Sequence, residues 1–254
     1  FSYTGGDSTG NFTELTDKRV GIIGTGATSI QCIPHLGRWA EQLYVFQRTP
    51  SSVDVRGNRP TDPAWAASLA PGWQQERIDN FGILVSGGYA EVDLVSDGWT
   101  DIIRRLTSLG MAEMIAKGMG PEEITAQMEL IDFEKMEEIR ARVDAFVDDP
   151  ATADALKPWY RQFCKRPCFN DDYLPTFNRD NVTLVDTGGR GVERITPKGV
   201  VVDGIEYELD CLIFGTGFEV GTDYVARAGF DLVGGDCTTL SDKWGRQVAT
   251  FQGL

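Results

Sequence analysis

Residues 18–29 read Lys-Arg-Val-Gly-Ile-Ile-Gly-Thr-Gly-Ala-Thr-Ser, and residues 43–50 read Leu-Tyr-Val-Phe-Gln-Arg-Thr-Pro. Gly24, Thr25, Gly26, Ala27 and Thr28 have the types and spacing to hold a pyrophosphate. Gly24 permits a tight turn. Gly26 lets backbone amides close on phosphate oxygens, and a helix starting at Ala27 turns its positive end toward the anion. The third position of this glycine fingerprint is Ser29, where Gly or Ala is usual, and serine is small enough for close helix–strand packing. Roughly 20 residues further on, a site for NAD carries an Asp or Glu for the ribose hydroxyl. Here the second strand ends in Gln47-Arg48-Thr49. A carboxylate repels a 2′-phosphate, whereas a guanidinium and a hydroxyl bind it. The two segments together imply NADP rather than NAD. A plain βαβ turn with a surface arginine leaves both the glycine spacing and the missing acid unexplained.

The elements that must position these residues follow from local pattern. Val20, Ile22 and Ile23 form the short apolar run of a buried parallel strand. Residues 18–24, 27–39 and 43–47 read as β–α–β, after an irregular, glycine-containing lead-in at 1–16. Pro50 to Pro63 is a connecting loop. Asp62-Pro63 starts a helix, with the acid as cap and the proline in the first turn. Residues 73–84 and 100–109 read as further helices, and Pro121-Glu122-Glu123 opens a long one. Its stripe of Ile124, Met128, Ile131, Met136, Ile139, Val143 and Phe146 is expected to face the core, with the charged residues between facing water. Strands return at 182–185, 192–195, 200–202 and 205–209, the last three as an antiparallel meander. Cys211-Leu212-Ile213-Phe214 is another buried strand, running into Gly215-Thr216-Gly217. The fold class expected is α/β: a Rossmann-like NADP-binding domain with a helical insertion and a small antiparallel β-meander.

Composition narrows the function classes. The chain has 254 residues, a 41% hydrophobic share and a net charge of −14. Such a surface repels nucleic acid and anionic membranes, so neither is an expected partner. No apolar stretch approaches the ~20 residues of a membrane span. The five cysteines, at 32, 164, 168, 211 and 237, read as free reduced thiols of a cytoplasmic protein. The single histidine, His35, follows Pro34 in the first helix. A packing or surface role fits it better than a catalytic triad or a metal site with Cys164 and Cys168. Asp171-Asp172 reads as a solvated pair, and the tryptophans at 65, 73, 99, 159 and 244 as packing groups.

Four segments together resemble the Baeyer–Villiger monooxygenases, flavoproteins that use FAD and NADPH. They are residues 19–28 and 45–50, the Lys165-Arg166-Pro167 stretch followed by Tyr173 and 176–186, and Phe214-Gly215-Thr216-Gly217-Phe218. They occur in the family's order across nearly the whole chain. The resemblance implies that NADPH reduces FAD, and that oxygen is then inserted beside the carbonyl of a ketone to give an ester or lactone. It implies that Arg166 is the catalytic arginine that steadies the anions of oxygen insertion. It places Lys165 on the 2′-phosphate beside Arg48 and Thr49. Gly215, Thr216 and Gly217 become a close backbone pass by the nucleotide or a hinge. No metal is implied.

The family's N-terminal FAD fingerprint and its F-x-G-x-x-x-H-x-x-x-W signature are not found in this sequence. The expectation is therefore an internal piece. It would comprise an NADP domain at 17–60 and 162–217, a helical insertion at 61–161, and remnants of an incomplete FAD domain at 1–16 and 218–254. FAD would be held by the complete parent enzyme, and the piece would be inactive alone. Two alternatives remain: part of a related flavin enzyme that oxygenates nitrogen or sulfur, or a stand-alone NADP-binding module without chemistry.

Overall fold

A computed structural model describes residues 3–6, 10–108, 114, 117–218, 222–245, 247, 248 and 250. The chain divides into two compact units, Phe1–Thr216 and Gly217–Leu254. The first is a mixed α/β structure whose described residues form a four-stranded parallel sheet, a two-stranded parallel ladder and a three-stranded antiparallel sheet.

The parallel sheet contains β1 (Arg19–Ile23), β2 (Gln42–Gln47), β5 (Val182–Asp186) and β9 (Cys211–Phe214), in the order β5-β2-β1-β9. Side chains alternate between its faces, as the two-residue period of a strand requires. Val20 and Ile22 of β1 and Leu43 and Val45 of β2 enter one core. Tyr44 and Phe46 of β2, with Ile23, enter the other. Each such fully buried aliphatic side chain stabilises the fold by about 1.5–3 kcal/mol. Helix α1 (Ala27–Trp39) covers the first face with Ile30, Ile33 and Leu36. The meander of β6 (Arg194–Thr196), β7 (Gly199–Val202) and β8 (Ile205–Glu208) covers the second, where Tyr207 meets Tyr44 and Phe46 edge-on.

Helices α2 (Pro63–Ser68), α3 (Trp73–Val85), α4 (Gly98–Ser108), α5 (Pro121–Phe146) and α6 (Pro150–Leu156) lie between β2 and β5 in the chain. The expected caps are present: Asp62 accepts from the Ala64 amide, and Asp149 from the Thr152 amide. Asp149 therefore starts α6 as well as following α5. The second half of α5 and all of α6 are knitted into the main core through Val143, Ala153 and Leu156. Leu15, in the lead-in read as irregular, is fully buried in the same core.

The stripe on α5 needs correction in two places. Phe146 is exposed, beneath the Arg142 guanidinium. Two of the charged residues assigned to the wet side are buried. Lys135 sits among Asp54 (2.6 Å), Asp101 (3.1 Å) and Glu138 (3.6 Å). Arg140 bonds Glu137 and the Pro158 carbonyl and lies against the Trp159 ring. Their long stems follow the apolar stripe while the heads find partners, so both count as core.

A second parallel pairing was not legible in the sequence. β3 (Val53–Asp54) joins β4 (Cys168–Phe169), with Val53 opposite Cys168. This short ladder carries the chain just after β2 to the chain just after Lys165-Arg166-Pro167. The four-residue α7 (Tyr173–Thr176) follows it.

The second unit contains α8 (Tyr224–Ala228), capped by Asp223 and ended by Gly229, and α9 (Leu240–Trp244), capped by Thr239. A hollow of about 610 Å³ between them is lined by Tyr224, Arg227, Leu240 and Trp244. It contains none of the residues that the motifs singled out.

Candidate functional site

The register of the parallel sheet builds the site. Ile23 lies opposite Phe46 on one side and Phe214 on the other. β1 and β9 thus end level and β2 one residue further, so that Gly24, Arg48 and Gly215 leave the sheet along one edge. In open parallel sheets the carboxyl ends of strands are where ligands bind, at the point where the strand order reverses. Here that point lies between β1 and β9.

Gly24 has φ +104, and its amide donates to the Phe46 carbonyl at 2.9 Å. A Cβ there would lie 2.6 Å from the Gly215 carbonyl oxygen. A Cβ on Gly215 would lie 1.9 Å from Ser29 Oγ. Ser29 is fully buried, and its hydroxyl donates to the Gly215 carbonyl at 3.3 Å. Gly24, Ser29 and Gly215 are therefore one packing joint between the ends of β1 and β9 and the start of α1. Gly26 differs from its neighbours: its φ is −77, it is exposed, and a Cβ built on it meets nothing. Among the described residues nothing crowds position 26, so the bare backbone leaves room for a ligand to approach. Gly26 caps α1 with no side-chain hydrogen bond, and no acid lies in the first turn, so the positive helix end is left for an anion. Ala27 is half-buried and Thr28 exposed in that turn.

The turn after β2 is tied to the glycine turn. Thr25 Oγ1 donates to the Thr49 carbonyl at 3.0 Å, and Ser51 Oγ donates to the Thr25 carbonyl at 2.6 Å. Arg48 and Thr49 are exposed. Lys165, more than 100 residues on, is brought to the same place by the β3–β4 ladder. Burial and, after it, the Arg48 charge hold the Lys165 ammonium below the ordinary lysine range. Its Nζ rests 5.1 Å from the centroid of the Tyr160 ring. Among the described residues, neither Arg48 nor Arg166 is joined to a carboxylate. Arg166 is exposed, directly after Lys165. Two cations converging without an acid beside an open helix N-terminus can hold a ligand carrying more than one phosphate.

Gln47 is turned away from this edge, and the Thr25 side chain is also buried, its hydroxyl spent on the Thr49 carbonyl. The Gln47 side chain is fully buried, and its amide donates to the Ala155 carbonyl at 2.8 Å. Its own carbonyl accepts from the Thr187 amide and hydroxyl. It fastens the end of β2 rather than touching a ligand, because alternation along the strand points it inward. Thr216 is exposed at the end of the first unit, and Gly217, with φ +84, opens the second.

Residues not foreseen also shape the site. Tyr160 takes a hydrogen bond from the Ser52 amide and gives one to the Pro50 carbonyl. Asp171, expected to be merely solvated, accepts from the amides of Arg56 and Asn58 and from Arg142. Asp172 pairs with Arg38. His35 is exposed, and all five cysteines are free, with Cys32 and Cys211 half-buried against the core. No helix among the described residues is long and apolar enough to cross a membrane.

No family model matches the chain. Curated relatives match it from end to end. Neopentalenolactone D synthase of Streptomyces avermitilis is 60% identical over 256 residues, covering all of this chain and 43% of its own length. Baeyer-Villiger monooxygenase ATR8 of Stachybotrys chlorohalonatus is 56% identical over 253 residues, again all of this chain and 40% of its own. The chain thus spans less than half the length of the curated relatives it matches. Among solved structures, the polycyclic ketone monooxygenase of the thermophilic fungus Thermothelomyces thermophila superposes with a TM-score of 0.81 at 42% identity, over 96% of this chain and 41% of that one. OTEMO in complex with FAD and NADP gives 0.68 at 28% identity, over 98% and 47%. From end to end, the chain is thus similar to one stretch of Baeyer–Villiger monooxygenases.

Proposed function

We propose that this chain is the NADP(H)-binding portion of an FAD- and NADPH-dependent Baeyer–Villiger monooxygenase, a cytoplasmic enzyme that converts ketones to esters or lactones with molecular oxygen. The observation that carries this reading is that Lys165, resting on the Tyr160 ring that bonds Pro50 and Ser52, lies near Arg48 beside the open N-terminus of α1, with no carboxylate paired to either cation among the described residues. The parallel sheet with α1 is then the Rossmann core, α2–α6 its helical insertion, and β6–β8 its meander.

The residues present fit the nucleotide. The amides at Gly26, Ala27 and Thr28 and the positive end of α1 take the pyrophosphate, in the space that a Cβ on Gly26 would fill. Arg48, Thr49 and Lys165 take the 2′-phosphate, the guanidinium as a planar fork and the ammonium as a point charge. Gly24, Thr25 and Gly215 keep the turns that present them. Gly215 and Thr216, at the end of the first unit, offer an open backbone to the rest of the nucleotide. NADPH supplies the hydride, and FAD, bound mainly by parts of the protein outside this chain, supplies the oxygen chemistry. Arg166 follows Lys165 directly, and its planar guanidinium is a group that can neutralise negative charge developing on oxygen.

Calorimetric titration tests the reading. The protein should bind NADP+ more tightly than NAD+, and Arg48→Ala should remove most of the difference. Losing one charge-assisted hydrogen-bonded pair costs about 1.5–3 kcal/mol, roughly 10- to 150-fold in affinity. Equal affinities in the wild-type protein would overturn it.

A further inference from the structure

We propose that Tyr160 is a positioning residue that sets the preference for the 2′-phosphate, by holding the arginine turn and the lysine at one fixed spacing. The inference rests on the nucleotide-binding reading above and adds a residue that no motif supplied.

Three contacts converge on this one half-buried side chain. The hydroxyl donates to the Pro50 carbonyl at 3.1 Å and accepts from the Ser52 amide at 2.9 Å. A phenol has one donor hydrogen and takes a hydrogen bond through oxygen, and both capacities are used here. The ring face carries the Lys165 ammonium 5.1 Å from its centroid, a distance at which the ring quadrupole attracts a cation. Pro50 and Ser52 lie on either side of Ser51, which is bonded to the glycine turn at Thr25. The stretch from Arg48 to Ser52 is thus held on one side by Thr25 and on the other by Tyr160.

The need for such a holder follows from charge. Lys165 and Arg48 carry like charges that repel each other, so that burial first and the Arg48 charge second lower the lysine pKa, and no acid among the described residues is paired with Arg48. Two like charges on flexible stems spread apart in water unless something keeps them together. The Tyr160 ring gives Lys165 a neutral resting place near Arg48, and the hydroxyl fixes the backbone that bears the arginine. Burial also raises the phenol pKa, which favours the protonated form that donates to Pro50. A ligand with a 2′-phosphate finds both cations already placed, whereas a ligand lacking it gains nothing from them.

The test uses Tyr160→Phe and Tyr160→Leu in the protein as it exists, titrated with NADP+ and NAD+ by calorimetry. Tyr160→Phe keeps the ring under Lys165 and loses two hydrogen bonds; it should weaken NADP+ about 3- to 30-fold and leave NAD+ within about twofold. Tyr160→Leu also loses the cation–ring contact and should weaken NADP+ further, again sparing NAD+. Lys165→Met combined with Tyr160→Leu should cost less than the sum of the two single changes, because both act through one ammonium. Unchanged NAD+ binding certifies the fold in each variant, and a merely structural tyrosine would lower both affinities together. A wild-type protein that prefers NADP+ while Tyr160→Phe and Tyr160→Leu keep its full preference overturns the role of Tyr160 alone. A wild-type protein without any preference overturns the nucleotide reading, and Tyr160 with it.

Discussion

The two glycines of one turn should fail in opposite ways. Gly24→Ala places a side chain at φ +104, a backbone region that L-residues rarely adopt, and drives its Cβ to 2.6 Å from the Gly215 carbonyl oxygen. Strain of this kind costs roughly 1–3 kcal/mol and overpacking against unyielding backbone a similar amount, for a total of about 2–6 kcal/mol. At about 2–4 °C per kcal/mol for a domain of this size, the melting temperature should fall by roughly 4–24 °C. Gly26→Ala meets nothing and sits at φ −77. Alanine is a poorer N-cap than glycine but a stiffer unfolded chain offsets part of that, so stability should stay within about 1 kcal/mol. Its methyl nevertheless stands where a phosphate must approach the amides, and NADP+ affinity should drop at least about tenfold. Urea unfolding and nucleotide titration on the same two proteins separate these effects. Gly26→Ala binding NADP+ like wild type, or losing as much stability as Gly24→Ala, would refute the reasoning that 26 is kept open for a ligand.

Other perturbations have equally definite outcomes. Lys135→Met should destabilise by about 3–5 kcal/mol in urea, because it strands Asp54 without its buried cation and leaves Asp101 with Arg105 alone. Burial lowers the Lys135 pKa, but Asp54 and Asp101 outweigh it and the net shift is upward. Its contribution is therefore full below the ordinary lysine value and is lost as pH rises through the folded one. Asp101 moves the other way: burial raises its pKa, Lys135 and Arg105 lower it more, and its contribution is lost as pH falls below 3.8 through the lowered value. The wild-type urea midpoint should fall at both ends, and a Lys135→Met profile of the same shape would count against the network. At a pH within the lowered lysine range, NADP+ binding should take up a proton at Lys165, because a phosphate favours its charged form. Affinity should thus decline as pH rises through that lowered range, and Lys165→Arg should abolish the decline in a titration series. In a full-length enzyme, Arg166→Ala should cut ketone oxygenation by roughly 10²–10³ while NADPH oxidation continues; product analysis showing undiminished ester or lactone would remove Arg166 from the chemistry.

The strand–turn–helix at 18–39 and the end of β2 were legible because their signals are local: an apolar run, glycines at fixed offsets, and a basic residue where an acid is usual. The helices at 63, 73 and 121 announced themselves through Asp-Pro, Gly-Trp and Pro-Glu-Glu starts in the same way. What the sequence hid was mostly contact at long range. The β3–β4 ladder is two residues long on each side, too short for any period, yet it carries Lys165 to Arg48. Tyr160 bonds a turn 110 residues earlier, and Asp171 bonds amides 115 and 113 residues earlier. No nearby pattern marks such partners. Lys135 and Arg140 misled for a different reason, since a charged residue beside an apolar stripe looks the same whether its head reaches water or a buried acid. Gln47 misled because a motif names a position and not the direction in which its side chain points.

The place of β1 in the middle of the sheet has a consequence for the newly made chain. Its partner on one side, β2, follows within about 20 residues, but its partner on the other, β9, lies about 190 residues on, as the Arg19–Asp210 bond spans. At a synthesis rate of roughly 5–20 residues per second, one edge of β1 waits about 10–40 s for its neighbour. During that interval an apolar strand with unpaired amides is presented to the cell, the kind of edge that recruits other chains. Early docking of α1 shields only a face of the nascent sheet, not its rim. Yield on expression should therefore depend on chaperones and on temperature more than equilibrium stability alone would suggest, with the closing pairing of β9 as the slow, vulnerable step.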